Sequence, residues 1–126
     1  MVYVDTSVIL SELLAEDRRP DPSLWNETLI SSRLLEYEVW CRLHVYRAAK
    51  SHGETARTLL SGVTLIELSP LVLQRALEPF PLPVRTLDAL HLASLEYVRA
   101  TRQKVLLATF DTKLASLARK MGIPLF

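Results

Sequence analysis

Short apolar runs recur along this chain, each followed by a stretch with helical spacing, and that alternation is what most limits its fold. The runs are residues 2–4, 28–30, 63–68, 105–108 and 123–126. Helical spacing covers about 7–16, 33–50, 54–60, 70–77, 87–100 and 110–121. Strands separated by helices cannot pair through tight hairpins. They need crossovers, and crossovers build a mostly parallel sheet with helices on both faces. The chain has 126 residues, a length that suits one domain, so 1–126 is expected to form a single unit.

Punctuation marks the expected boundaries. Thr6 and Ser7 are N-cap types at the head of the first helix, and Ser32 and Thr86 suit the same task further on. Ser51-His52-Gly53 reads as the stop of the 33–50 helix, with Arg47 and Lys50 near its negative end. Pro70 fits the first turn of its helix. Pro79, Pro81 and Pro83 stand at alternate positions and make 79–83 a stiff extended connector. Residues 17–22 are a polar, proline-bounded loop, with a short helical turn expected at 23–27.

Composition excludes several classes. Net charge is +1, so nucleic-acid binding would rest on a local patch and not on a global field. Cys41 is the only cysteine. It rules out an intrachain disulfide or a multi-cysteine zinc site and reads as a small buried hydrophobe. That usage fits a reducing cytoplasm. No run approaches the roughly 18 apolar residues of a membrane span, and the acid at position 5 argues against a signal peptide. Any metal ligands should be oxygens.

Acids fall at telling places. Asp5 ends the first strand, and Asp111 follows the 105–108 strand after Thr109-Phe110. Both belong at the carboxyl edge of a parallel sheet, where open α/β folds bind ligands. Asp88 lies in the first turn of its helix with apolar neighbours on both sides. Each has a plain structural role open to it, as a cap or as a charge on a helix dipole. Their shared edge is what argues for more. Glu38 and Glu36 flank the stripe of Leu35, Val39, Leu43 and Tyr46, and periodicity does not separate them; Glu38 could equally pair with Arg42 at i,i+4. Several carboxylates in one pocket repel. A divalent cation with a taste for oxygen relieves that, and it suits phosphodiester chemistry.

Four segments, in order, carry a resemblance: Tyr3-Val4-Asp5-Thr6-Ser7; Ser32-Arg33-Leu34 through Glu38 to Arg42-Leu43; Leu87-Asp88-Ala89-Leu90-His91-Leu92-Ala93; and Thr109-Phe110-Asp111 with Leu114-Ala115. The chain resembles the PIN-domain ribonucleases, most closely the VapC toxins of VapBC toxin–antitoxin pairs. The resemblance implies a three-layer α/β/α fold and a Mg²⁺- or Mn²⁺-dependent endoribonuclease that cleaves RNA with a metal-activated water. It implies Asp5, Glu38, Asp88 and Asp111 as the acidic residues, with Asp5 and Asp88 as direct metal ligands and Glu38 and Asp111 acting directly or through water. Glu38 is preferred to Glu36 because the family's glutamate precedes an arginine by four residues, as Glu38 precedes Arg42. A small DNA-binding VapB-type antitoxin and a homodimer are also implied.

Beside the acids, Ser7 and Thr109 are candidates to hold a ligand water. Arg85 and Arg42 are candidates to meet RNA phosphate. His91 is read as a packing residue, because four carboxylates already suffice for a metal. Two other classes of function remain. A receiver-like phosphoacceptor domain would need a lysine after its last strands, whereas Lys104 precedes a strand and Lys113 sits on a helix. A non-catalytic binding protein on the same fold would not need its acids intact.

Overall fold

Val2, Tyr3 and Val4 are all buried, as a strand covered on both faces requires. In the computed structural model, which describes residues 1–101 and 103–126, they form β1 (Val2–Val4). Strands β2 (Leu29–Ser32), β3 (Val63–Ile66) and β4 (Leu106–Ala108) join it in the order β3-β2-β1-β4, every pairing parallel. The helices are α1 (Thr6–Leu13), α2 (Leu34–Val45), α3 (Ala49–Ser61), α4 (Pro70–Ala76), α5 (Thr86–Ala100) and α6 (Thr112–Lys120). A single 3-10 turn, Pro22–Asn26, precedes β2.

Successive strand residues point to opposite faces, and that period divides the interior in two. Val2 and Val4 pack with Val8, Ile9 and Leu13 of α1, Leu35, Val39 and Leu43 of α2, and Ala56 of α3. Tyr3, Ile30 and Leu107 turn the other way, onto Leu92 and Leu95 of α5 and Leu114, Leu117 and Ala118 of α6. The result is three layers, α/β/α. From β1 the chain winds outward through β2 to β3, then returns to place β4 on the opposite side of β1. The direction of winding reverses between β1 and β4. Their carboxyl ends, followed by Asp5 and Thr109, therefore flank the crevice that this topology opens.

The structure corrects several expectations. The single helix over 33–50 is two helices, α2 and α3, and the break falls at Tyr46–Arg47–Ala48. Arg47 adopts φ 53°, the Arg47 amide donates to the His44 carbonyl, and the Ala48 amide donates to Leu43. This is a Schellman closure made without glycine. Gly53, read as the stop, lies inside α3. Its role is close approach: a Cβ there would sit 3.3 Å from Trp40 of α2. Cys41 is exposed, not buried, because it lies opposite the Leu35–Val39–Leu43 stripe, and Tyr46 falls past the helix end and is exposed too. The run 123–126 contributes only an isolated bridge, Leu107 to Leu125, since Pro124 has no amide to donate. Among the described residues, no helix is long and apolar enough to cross a membrane.

Candidate active site

Asp5 ends β1 and caps α1. Its Oδ2 accepts from the Ser7 hydroxyl at 2.6 Å, from the Ser7 amide at 3.4 Å and from the Thr109 hydroxyl at 2.9 Å. The residue is only 6% exposed. With Oδ2 committed to the fold, Oδ1 has no donor among the described residues. A buried carboxylate oxygen held this way has lost its freedom to rotate before any ligand arrives.

The same hydroxyls tie the two strand ends together. Ser7 Oγ accepts from the Phe110 amide at 3.0 Å, and Thr109 Oγ1 accepts from the Asp111 amide at 3.0 Å. Ser7 and Thr109 therefore brace the turn after β1 against the turn after β4, with Asp5 between. Asp111 caps α6 through Oδ1, which accepts from the Lys113 amide at 2.8 Å and the Leu114 amide at 3.0 Å. Its Oδ2, like Oδ1 of Asp5, has no donor among the described residues.

Glu38 and Glu36 go to different places. Glu36 binds Arg33 at 3.2 Å, and Arg33 also holds Glu67, an exposed network away from the crevice. Glu38 turns inward. Its Oε1 accepts from the Thr6 hydroxyl at 3.0 Å and meets His91 Nε2 at 2.5 Å. The sequence-level alternative, an ion pair between Glu38 and Arg42, does not form. Thr6 and His91 are the contacts that sequence reasoning missed. Their signal was present in part: the Leu-Asp-Ala-Leu-His-Leu-Ala run puts His91 one turn after Asp88.

Asp88 occupies the first turn of α5 and is half-buried. Burial holds its carboxyl above the ordinary value of 3.8, and the negative charges of Asp111, Asp5 and, more weakly, Glu38 push the same way against a smaller opposing effect of His91. All four acids line one cleft of about 670 Å³. A second hollow of about 540 Å³ shares Arg85, Asp88, Phe110 and Asp111 with it and extends the groove towards Pro83, Lys113 and Leu117.

Oxygen donors from four separate elements, at least three of them with a free oxygen, form a donor set for a hard divalent cation. Among the described residues no three of them already converge as a tight coordination group. Mg²⁺ takes one or two carboxylates directly and keeps several waters, so a looser arrangement fits it. The raised Asp88 carboxyl is what burial and like charges around one cleft produce together.

Arginines frame the acids. Arg42 and Arg85, both exposed, line the cleft together with Arg18 and Tyr46. The Arg18 guanidinium stacks over the Phe110 ring at 4.5 Å and that of Arg42 lies 5.8 Å from the Tyr46 ring. Arg18 came from the polar 17–22 loop, where nothing in the sequence marked it out.

A crevice at the reversal of a parallel sheet, rimmed by acids from the turns after β1 and β4 and from α2 and α5, defines a class. The chain belongs to the PIN-domain family, whose pattern it matches over residues 2–120. Among curated proteins it is 29% identical to Ribonuclease VapC47 of Mycobacterium tuberculosis, over 97% of this chain and 93% of that protein. It is 27% identical to Ribonuclease VapC46 of the same species, again over 97% and 93%.

Proposed function

We propose that this chain is a divalent-metal-dependent endoribonuclease, the toxin of a VapBC-type toxin–antitoxin pair. The observation that carries the proposal is four carboxylates from four elements lining one cleft, where burial first and the charges of Asp111 and Asp5 next raise the Asp88 carboxyl. The names of the two relatives give the substrate class, RNA.

In this reading Asp5 and Asp88 hold Mg²⁺ or Mn²⁺ directly, and Glu38 and Asp111 do so directly or through water. When bound, the cation supplies an activated water and neutralises charge on the scissile phosphate. The chain's own residues do the positioning. Thr109 and Ser7 fix the Asp5 carboxylate, Thr6 fixes that of Glu38, and the α6 amides fix that of Asp111. Arg42 and Arg85 bind RNA phosphates on either side of the scissile bond, a charge-assisted contact that positions without reading sequence. Arg18, stacked on Phe110, adds a third cation to that rim. The partner is a small DNA-binding antitoxin that occupies the same groove, and the toxin works as a homodimer.

The test is cleavage of single-stranded RNA by purified, antitoxin-free protein. Cleavage should need Mg²⁺ or Mn²⁺, stop in EDTA, and be absent from Asp5→Asn. Equal cutting by wild type and Asp5→Asn would assign the activity to a contaminant and remove the proposal.

A further inference from the structure

Tyr3 and His91 are two of the largest fully buried side chains, 1% and 2% exposed. They lie in different layers, Tyr3 on β1 and His91 on α5, with their rings edge to face at 5.9 Å. A polar pair this deep must have every polar atom satisfied, and each of theirs is. The Ser32 amide donates to the Tyr3 hydroxyl at 2.9 Å. That oxygen lies 2.8 Å from His91 Nδ1, and His91 Nε2 lies 2.5 Å from Glu38 Oε1.

With a neutral His91, one arrangement of protons satisfies every partner in the row. The Tyr3 oxygen already accepts from the Ser32 amide, so its own proton is free to go to Nδ1. A neutral imidazole that accepts at Nδ1 must carry its proton on Nε2. Nε2–H then donates to the Glu38 carboxylate, which can only accept. One directed chain thus runs from a backbone amide of β2, through β1 and α5, to a carboxylate on α2.

We propose that Tyr3 and His91 are positioning residues: a buried relay anchored on the Ser32 amide that holds Glu38 Oε1 and leaves Oε2 to the cation in the cleft. The inference rests on the metal-site reading above. Thr6 contributes the second donor to Oε1, so this oxygen is saturated and Glu38 cannot turn over. The relay also explains why a histidine so near four carboxylates is no ligand. Both of its nitrogens are engaged, one towards Tyr3 and one towards Glu38, and neither is left for a metal. The relay couples β1, which carries Asp5, to α2, which carries Glu38, through α5, which carries Asp88. The chain bonds Glu38 alone among the acids, and it ties together the elements beside which Asp5 and Asp88 stand.

Three variants test it, each with Mn²⁺ affinity measured by titration calorimetry and RNA cleavage measured beside it. Tyr3→Phe keeps the ring and removes the hydroxyl. His91→Leu removes both nitrogens, and His91→Gln keeps an N–H where Nε2 stands. Loss of an outer hydrogen-bond partner commonly weakens metal binding about 10- to 100-fold. Tyr3→Phe and His91→Leu should weaken Mn²⁺ binding by about 10-fold or more and lower kcat with little change in KM for RNA. His91→Gln should recover most of the affinity. A long-range ¹H–¹⁵N spectrum of the wild type near neutral pH should show His91 as the Nε2–H tautomer, and this readout needs no metal. If the wild type binds Mn²⁺ and cuts RNA while folded Tyr3→Phe matches it, or if His91 carries its proton on Nδ1, the relay is wrong although the site stands. If His91→Leu fails to fold, Tyr3→Phe still decides. A wild type that neither binds Mn²⁺ nor cuts RNA removes the metal site and the relay with it.

Discussion

At Asp5 the two oxygens of one carboxylate divide the tasks of folding and chemistry. Oδ2 caps α1 and accepts from Ser7 and Thr109, while Oδ1 is left over. Asn at this position keeps an oxygen for the cap, so Asp5→Asn should melt close to wild type without metal and still lose RNA cleavage by about 100-fold or more, the scale of removing a group that meets the transition state. Asp88 behaves differently. Its carboxyl is raised in the folded chain, so the folded state holds its proton more tightly than the unfolded state. Stability is then lost as pH rises from the ordinary 3.8 through the raised value, and the loss is complete above it. Metal-free Asp88→Asn should therefore melt above wild type at pH 7, with the gap closing as pH falls towards 3.8. Paired melts across that range check the sign. At this scale Asp5, Asp88 and Asp111 were legible, because strand ends and a helix start fix where they stand. Periodicity did not separate Glu38 from Glu36, because both flank one stripe; the family pattern preferred Glu38, and in the fold the two differ by their partners, Thr6 and His91 against Arg33.

At the scale of elements, the informative error is the division of α2 from α3. Local rules put the break at Gly53, yet the chain breaks at Arg47 in a left-handed conformation that glycine adopts more easily. Arg47→Gly should stabilise the protein by about 1 kcal/mol, the strain of that conformation for a residue with a Cβ. Gly53 is needed instead where α3 crosses Trp40 at 3.3 Å. Gly53→Leu should destabilise by about 1–3 kcal/mol through overpacking; chemical denaturation of both variants checks the pair. The break matters to the site because it ends α2 two turns after Glu38 and leaves Arg42 and Tyr46 at the cleft rim. Sequence saw the helices through their spacing. It could not see that the glycine serves the contact between α3 and Trp40, because that contact depends on how α3 folds back onto α2.

For the whole molecule, the strand order places the cleft. Alternation of strands and helices foretold a parallel sheet, and the reversal between β1 and β4 supplies the crevice into which α2 and α5 deliver Glu38 and Asp88. That order is set by long-range pairing, such as Val2 with Leu106 and with Leu29, and no local pattern encodes it. If the cleft holds a cation, folding and binding are linked: Mg²⁺ at 100 times its Kd should stabilise wild type by about 2.7 kcal/mol, and Asp5→Asn should gain far less. Thermal melts with and without Mg²⁺ read this directly. The central claim, that four particular carboxylates form one RNA-cutting site, is tested most directly by cleavage rates of five single variants at saturating Mn²⁺. Asp5→Asn, Glu38→Gln, Asp88→Asn and Asp111→Asn should each cut far more slowly than wild type, while Glu36→Gln, whose partner is Arg33, cuts as wild type does. Full activity in folded Glu38→Gln, or loss of activity in Glu36→Gln alone, would contradict the account.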